Sequence, residues 1–155
     1  MAVFCKKEGT TMFTLVRHIL ERKGNDIWSV KPETTVFEAL QLMSQKDIGT
    51  VLVMENDRLI GIMSERDYAR KVILQGRSSK DTCVKEIMST EISTILLEQT
   101  LDEAMALMSI RHIRHLPVMV KDKVIGVISI SDVVRGIIAR QRETIQFYED
   151  IELDR

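Results

Sequence analysis

Two cysteines, Cys5 and Cys83, are too few in 155 residues for a disulfide framework or a metal knuckle. They read as reduced thiols, so the expected compartment is the cytoplasm. No apolar run approaches the roughly 20 residues a membrane span needs. The longest are pieces such as Val51-Leu52-Val53-Met54. The first residues, with Cys5, Lys6, Lys7, Glu8 and Gly9, hold no apolar core of a secretory signal. Neither charge sign dominates: 22 Lys and Arg stand against 23 Asp and Glu, a net charge of -1. A nucleic-acid binder usually shows a clear basic excess, so that class is not expected. Aromatics are only 5%, and nine methionines read as core filler. There is no Walker-type loop, Gly-x-Ser-x-Gly elbow or nucleophile–base pair, and no enzyme is expected. His112 and His115 lie three apart, but the arginines beside them repel a cation, so no metal is expected. What remains is ordinary folded composition, 45% hydrophobic and 29% charged.

Self-comparison is the informative step. With a shift of 65, Ile27–Ile73 lies over Ile92–Ile138 without a gap, and 18 of the 47 positions are identical. Each copy opens with a short strand, near Ile27–Val30 and Ile92–Ile95. Thr35-Val36-Phe37-Glu38 and Thr100-Leu101-Asp102-Glu103 are capping boxes that start a helix. Val51–Met54 with Leu59–Met63, and Leu116–Val120 with Val124–Ile128, read as hairpins closed by short polar turns. A second helix starts at Ser64 and at Ser129. The fold class is α+β, two pseudo-symmetric strand–helix–strand–strand–helix repeats. Each is marginal alone, so the two are expected to share a buried interface. Gly76–Asp81 reads as an exposed turn in the linker, and Val84–Met88 as one helical turn. The apolar residues Val133 to Ile151 predict a helix that runs past the repeat, either packed on the module or forming a dimer seam. Seven lysines and arginines between residues 58 and 85 read as a solvated face, phosphate contacts or a partner surface.

The chemistry concentrates at Gly61-Ile62-Met63-Ser64-Glu65-Arg66-Asp67 and Gly126-Val127-Ile128-Ser129-Ile130-Ser131-Asp132. Ser-x-x-Asp where a strand becomes a helix is first of all a good N-cap. The same corner suits a nucleotide. A helix N-terminus favours phosphate, a Ser hydroxyl donates to phosphate or ribose oxygen, and an Asp carboxylate accepts from both ribose hydroxyls. A glycine there allows close approach of a ligand to the backbone.

The paired Gly-x-x-Ser-x-x-Asp motifs, the Leu116-Pro117-Val118 strand and the ungapped repeat resemble a tandem cystathionine-β-synthase (CBS) domain pair, or Bateman module, over residues 14–140. The run Ser64–Val72, followed by Gln75-Gly76-Arg77-Ser78-Ser79, is similar to the small stand-alone bacterial CBS-pair proteins. The resemblance implies an N-terminal tail (1–13), repeat 1 (14–75), a linker (76–91), repeat 2 (92–140) and a C-terminal helical extension (141–155). It implies a non-enzymatic regulatory module with two clefts for adenosine-containing ligands such as AMP, ATP, NAD(H) or S-adenosylmethionine, with AMP or NAD(H) first. A homodimer and an unidentified protein partner are implied with it. The rival reading is an interaction scaffold with empty clefts.

Carried over by residue, Asp67 and Asp132 would hold ribose hydroxyls, and Ser64 and Ser129 ribose or the first phosphate. Arg114 and His115 match basic positions that meet phosphate, while Ile92–Ile95 and Val118 would enclose adenine. Copy one has Gly49 and Thr50 where copy two has Arg114 and His115, and its Arg66, in place of Ser131, could supply the missing counter-charge; Thr50, Arg66 and Ser131 count among the candidate ligand-binding residues. Unequal sites follow, with the motif of copy two as the better candidate.

Overall fold

The first helix within each repeat is capped by the threonine just before it. Thr35 Oγ1 accepts from the Glu38 amide at 3.2 Å, and Glu38 Oε2 accepts from the Thr35 amide at 3.1 Å. Thr100 and Glu103 repeat the exchange at 3.1 and 3.3 Å. The capping boxes satisfy amides that a helix start leaves without partners. In the computed structural model, which describes residues 14–153, the first repeat is β1 (Ser29–Val30), α2 (Val36–Lys46), β2 (Thr50–Glu55), β3 (Arg58–Ser64) and α3 (Glu65–Lys71). The second is β4 (Ile95–Leu96), α4 (Leu101–Arg111), β5 (His115–Val120), β6 (Lys123–Ser129) and α5 (Ile130–Leu153). A further helix, α1 (Val16–Lys23), precedes both. The expected tail, 1–13, lies outside the described residues.

Two three-stranded sheets form, β1-β2-β3 and β4-β5-β6. In each, the first pair is parallel and the second antiparallel, with a bulge at Val53/Met54 and at Val118/Met119. The opening strands are two residues long and lie later than the expected Ile27 and Ile92 starts. The α+β class and the duplicated element order are as the sequence indicates.

Packing crosses between the repeats. Val16, Ile19 and Leu20 of α1 are buried in the second core, with Leu101, Met108, Leu116, Val118 and Ile128. Val84 and Ile87, from a 3-10 turn at Val84–Glu86, are buried in the first core, with Val36, Met43, Val51 and Met63. Matching backbone bonds fix both straps: Val16 N donates to Gln99 O at 2.9 Å, and Val84 N to Thr34 O at 2.8 Å. Residues 14–75 are therefore not one packing unit, and the stretch 76–91 is core as well as linker: Thr82, Val84 and Ile87 are buried.

The motif glycines serve this crossing. A Cβ on Gly61 would run into the Met88 side chain, and one on Gly126 would lie 2.8 Å from Leu20 Cδ2. The close approach at these glycines is made by a strap of the protein, where the sequence suggests a ligand.

Candidate functional site: two related clefts

The repeats meet with β3 against β6, and two clefts open whose walls correspond in part. The first, about 490 Å³, is lined on one side by Ser64, Arg66, Asp67 and Arg70 from the β3–α3 corner. Across it lie Ile92 and Ser93 before β4, and Ile113, Arg114 and His115 leading into β5. The second, about 350 Å³, has Ser129 and Val127 on one side, with Trp28, Ile48, Gly49 and Thr50 across. Shifting by 65 turns Trp28 into Ser93, Ile48 into Ile113, Gly49 into Arg114 and Thr50 into His115.

Local geometry explains the corners. Ser64 is extended, at φ −113° and ψ 164°, and its hydroxyl accepts from the Asp67 amide at 3.2 Å. Asp67 Oδ2 accepts from the Ser64 amide at 2.8 Å and from the Ser64 hydroxyl at 3.0 Å. Ser129 and Asp132 repeat the cap at 3.2 and 2.8 Å. Both serines and both aspartates thus hold helix starts. This leaves Asp67 Oδ1 facing Lys71 Nζ at 3.1 Å on a side chain 17% exposed at the cleft wall.

The structure groups the candidates differently from chain order. Arg114 faces the first cleft together with Ser64, Arg66 and Asp67. It does not line the cleft beside Asp132. The cause is the pseudo-twofold packing, which sets the start of β5 opposite the corner of the other repeat. The basic segment of copy two therefore faces the carboxylate of copy one rather than that of copy two. Arg70, one of the seven lysines and arginines between residues 58 and 85, joins the same wall. Its signal was its identity with Arg135 across the repeat.

Thr50 and His115 line both clefts. Burial lowers the His115 pKa, and Lys23 and Arg114 add to this, against the opposing pull of Asp132. Asp132 is 8% exposed at its side chain and lines neither cleft. Burial pushes its carboxyl up, but hydrogen bonds from Lys23 and from Ser129 outweigh this and hold it below the usual value. Val118 is fully buried in the second core, because β5 is covered at Leu116, Pro117 and Val118 alike. It cannot enclose a ligand. Ser131 is exposed and lines neither cleft. Of the expected adenine wall, Ile92 and Ser93 line the first cleft, while Ile95 is core. Among the described residues no group of three or more His, Cys, Asp or Glu is placed to hold a metal.

The family model described as CBS domain matches residues 8–73 and 84–139. This chain belongs to the CBS-domain family. It is 37% identical to the mitochondrial CBS domain-containing protein CBSX3 of Arabidopsis thaliana, over 94% of this chain and 80% of that protein. A solved structure with CBS domains from Burkholderia ambifaria MC40-6 is 47% identical, covering 83% of this chain and 96% of its own, with a TM-score of 0.80. The CBS domain pair of protein MJ0100, solved with 5'-methylthioadenosine and S-adenosyl-L-methionine, shares the fold. It has a TM-score of 0.70 at 23% identity over 79% of this chain and 94% of its own. CBS pairs are regulatory modules, and the duplicated α+β architecture here is a Bateman module.

Proposed function

We propose that this CBS pair is a non-enzymatic sensor that binds an adenine nucleotide, AMP, ATP or NAD(H), in the first cleft. One observation carries the reading: Asp67 shares a cleft of about 490 Å³ with Arg66, Arg70 and Arg114, a carboxylate that would take a ribose beside arginines that would take phosphate. That volume suits a small ligand. The arginines offer planar donors that match phosphate oxygens. The adenosine-bearing ligands of the MJ0100 pair support a nucleoside in this fold. S-adenosyl-L-methionine, with no phosphate to offer the three arginines, is the less favoured ligand, although Glu65 and Glu91 also line the cleft.

Signalling follows from differential affinity: a ligand shifts the balance between two arrangements only as far as it binds one better. Ile145, Phe147, Tyr148 and Ile151 of α5 are exposed apolar residues and offer a seam for a second copy or a partner protein. Among the described residues no helix is long and apolar enough to cross a membrane. We place the protein in the cytoplasm on the reduced-thiol reading. Fractionation of source cells tests this against the organelle named for the Arabidopsis relative.

A thermal-shift and turnover screen with AMP, ATP, NAD(H) and S-adenosyl-L-methionine tests the whole. Stabilisation by the nucleotides without product is the expected result. No stabilisation by any of them supports the scaffold, and product formation would make the protein an enzyme.

A further inference from the structure

Each ribose-type carboxylate is paired with a lysine, Asp67 with Lys71 and Asp132 with Lys23, but of the two lysines only Lys23 lines a cleft. In the first repeat the strap ends at Met88, and Ser89 pairs with Ile62 through backbone bonds of 2.9 and 3.0 Å. In the second the strap is a longer helix, which runs on to Lys23 before Gly24 stops it at φ 90°. The carbonyl oxygen of Val127, the counterpart of Ile62, accepts from the Lys23 ammonium at 2.9 Å. That ammonium also donates to Asp132 Oδ2 at 2.8 Å, and Arg135 donates to Oδ1 at 2.8 Å. Both oxygens of the second ribose-type carboxylate are engaged, and Lys23 lines the cleft whereas Asp132 does not. Among the residues lining this cleft Lys23 is the one lysine or arginine, whereas the first cleft has three arginines.

We infer that Lys23 is a specificity-determining residue: it lets the second cleft accept a ribose diol only when the ligand also brings an anion. The inference rests on the nucleotide reading above. A neutral nucleoside that offers hydroxyls to Asp132 must displace an ammonium from a carboxylate and gives that ammonium no new counter-charge. A phosphate does give one. The Lys23 side chain, 39% exposed on four methylenes, then turns from Asp132 to the phosphate and releases the carboxylate to the ribose. Asp26 and Asp47, also at this cleft, sharpen the requirement, since they repel an anion that Lys23 does not hold.

The test is calorimetric titration of AMP and of adenosine into the full chain carrying Asp67→Asn, which weakens the first cleft while keeping an oxygen for its cap. The same titrations are made with Lys23→Met or Lys23→Arg added. With Lys23 or Arg, AMP is expected to bind at least about tenfold more tightly than adenosine, the scale of one charge-assisted hydrogen bond. With Met, adenosine gains and the preference collapses. Equal binding of the two ligands in the Lys23 protein overturns the inference, as does a preference that Met leaves intact. If AMP binds the unmodified chain but no Asp67→Asn protein binds either ligand, the Lys23 role alone falls. If neither ligand binds the unmodified chain, the nucleotide reading fails and takes this inference with it.

Discussion

Thr50 and His115 occupy the same position in the two repeats, and they are hydrogen-bonded to each other, Thr50 Oγ1 lying 3.0 Å from His115 Nδ1. The pseudo-twofold axis therefore passes between two unlike side chains that wall both clefts. Whatever moves one of them is felt on both sides of the partition.

His115 sets a pH dependence. Its folded pKa lies below the ordinary 6.5, chiefly because of burial. The unfolded chain then binds a proton that the folded chain resists, so stability rises with pH through that window. On acidification from pH 7.5 to 5.5 the melting temperature should fall, and His115→Gln should flatten that slope. Calorimetric scans across the range check this. Asp132, held below its own ordinary 3.8, loses its contribution only at still lower pH and does not confuse the test.

Asp67 and Arg114 should act as one site although they belong to different repeats. Asp67→Ala is expected to weaken AMP by about ten- to a hundredfold, the worth of a charge-assisted hydrogen bond. Arg114→Ala should weaken AMP and ATP more than adenosine. Titration of the single and double variants decides whether they couple. Simple additivity would separate the two residues.

Gly61→Ala should destabilise the fold by about 1–3 kcal/mol, the usual range for overpacking. The added methyl would run into the Met88 sulfur and Cγ, which rotation can move, and into its Cβ at 3.2 Å, which rotation leaves in place. Urea denaturation measures the loss, and Met88→Ala in the same chain should recover part of it.

The fold was legible where the physics is local. Capping boxes, hairpins and helix starts each declare themselves within four to eight residues, and duplication doubles the signal. The crossing of the straps was not read from the 65-residue shift, which ends at Ile27. A second register shows it: Thr14-x-Val16-x-x-Ile19-Leu20 lies over Thr82-x-Val84-x-x-Ile87-Met88 with a shift of 68. The three extra residues are those that carry α1 on to Lys23. The grouping of Arg114 with Asp67 was hidden for a different reason. Symmetry, not proximity along the chain, brings them together. Val118 misled because a strand covered on both faces carries no alternation to show which of its residues reach a ligand.

Ile87→Ala and Ile19→Ala test the straps. Each removes a buried side chain from the core of the opposite repeat, so each should cost about 2–5 kcal/mol. Hydrogen exchange should show the loss from Ile19→Ala in α4 to β6, and the loss from Ile87→Ala in α2 to β3. The reverse assignment would mean that each strap serves its own repeat.

With α1 rooted in one half and the Val84–Ile87 segment in the other, the molecule is laced at two points. Neither half can swing open on a single connector without uprooting a piece seated in its neighbour. The motion left to it is a small shear or tilt of interlocked bodies, so a message leaving this protein would travel as a change of surface angle rather than as a gap that opens.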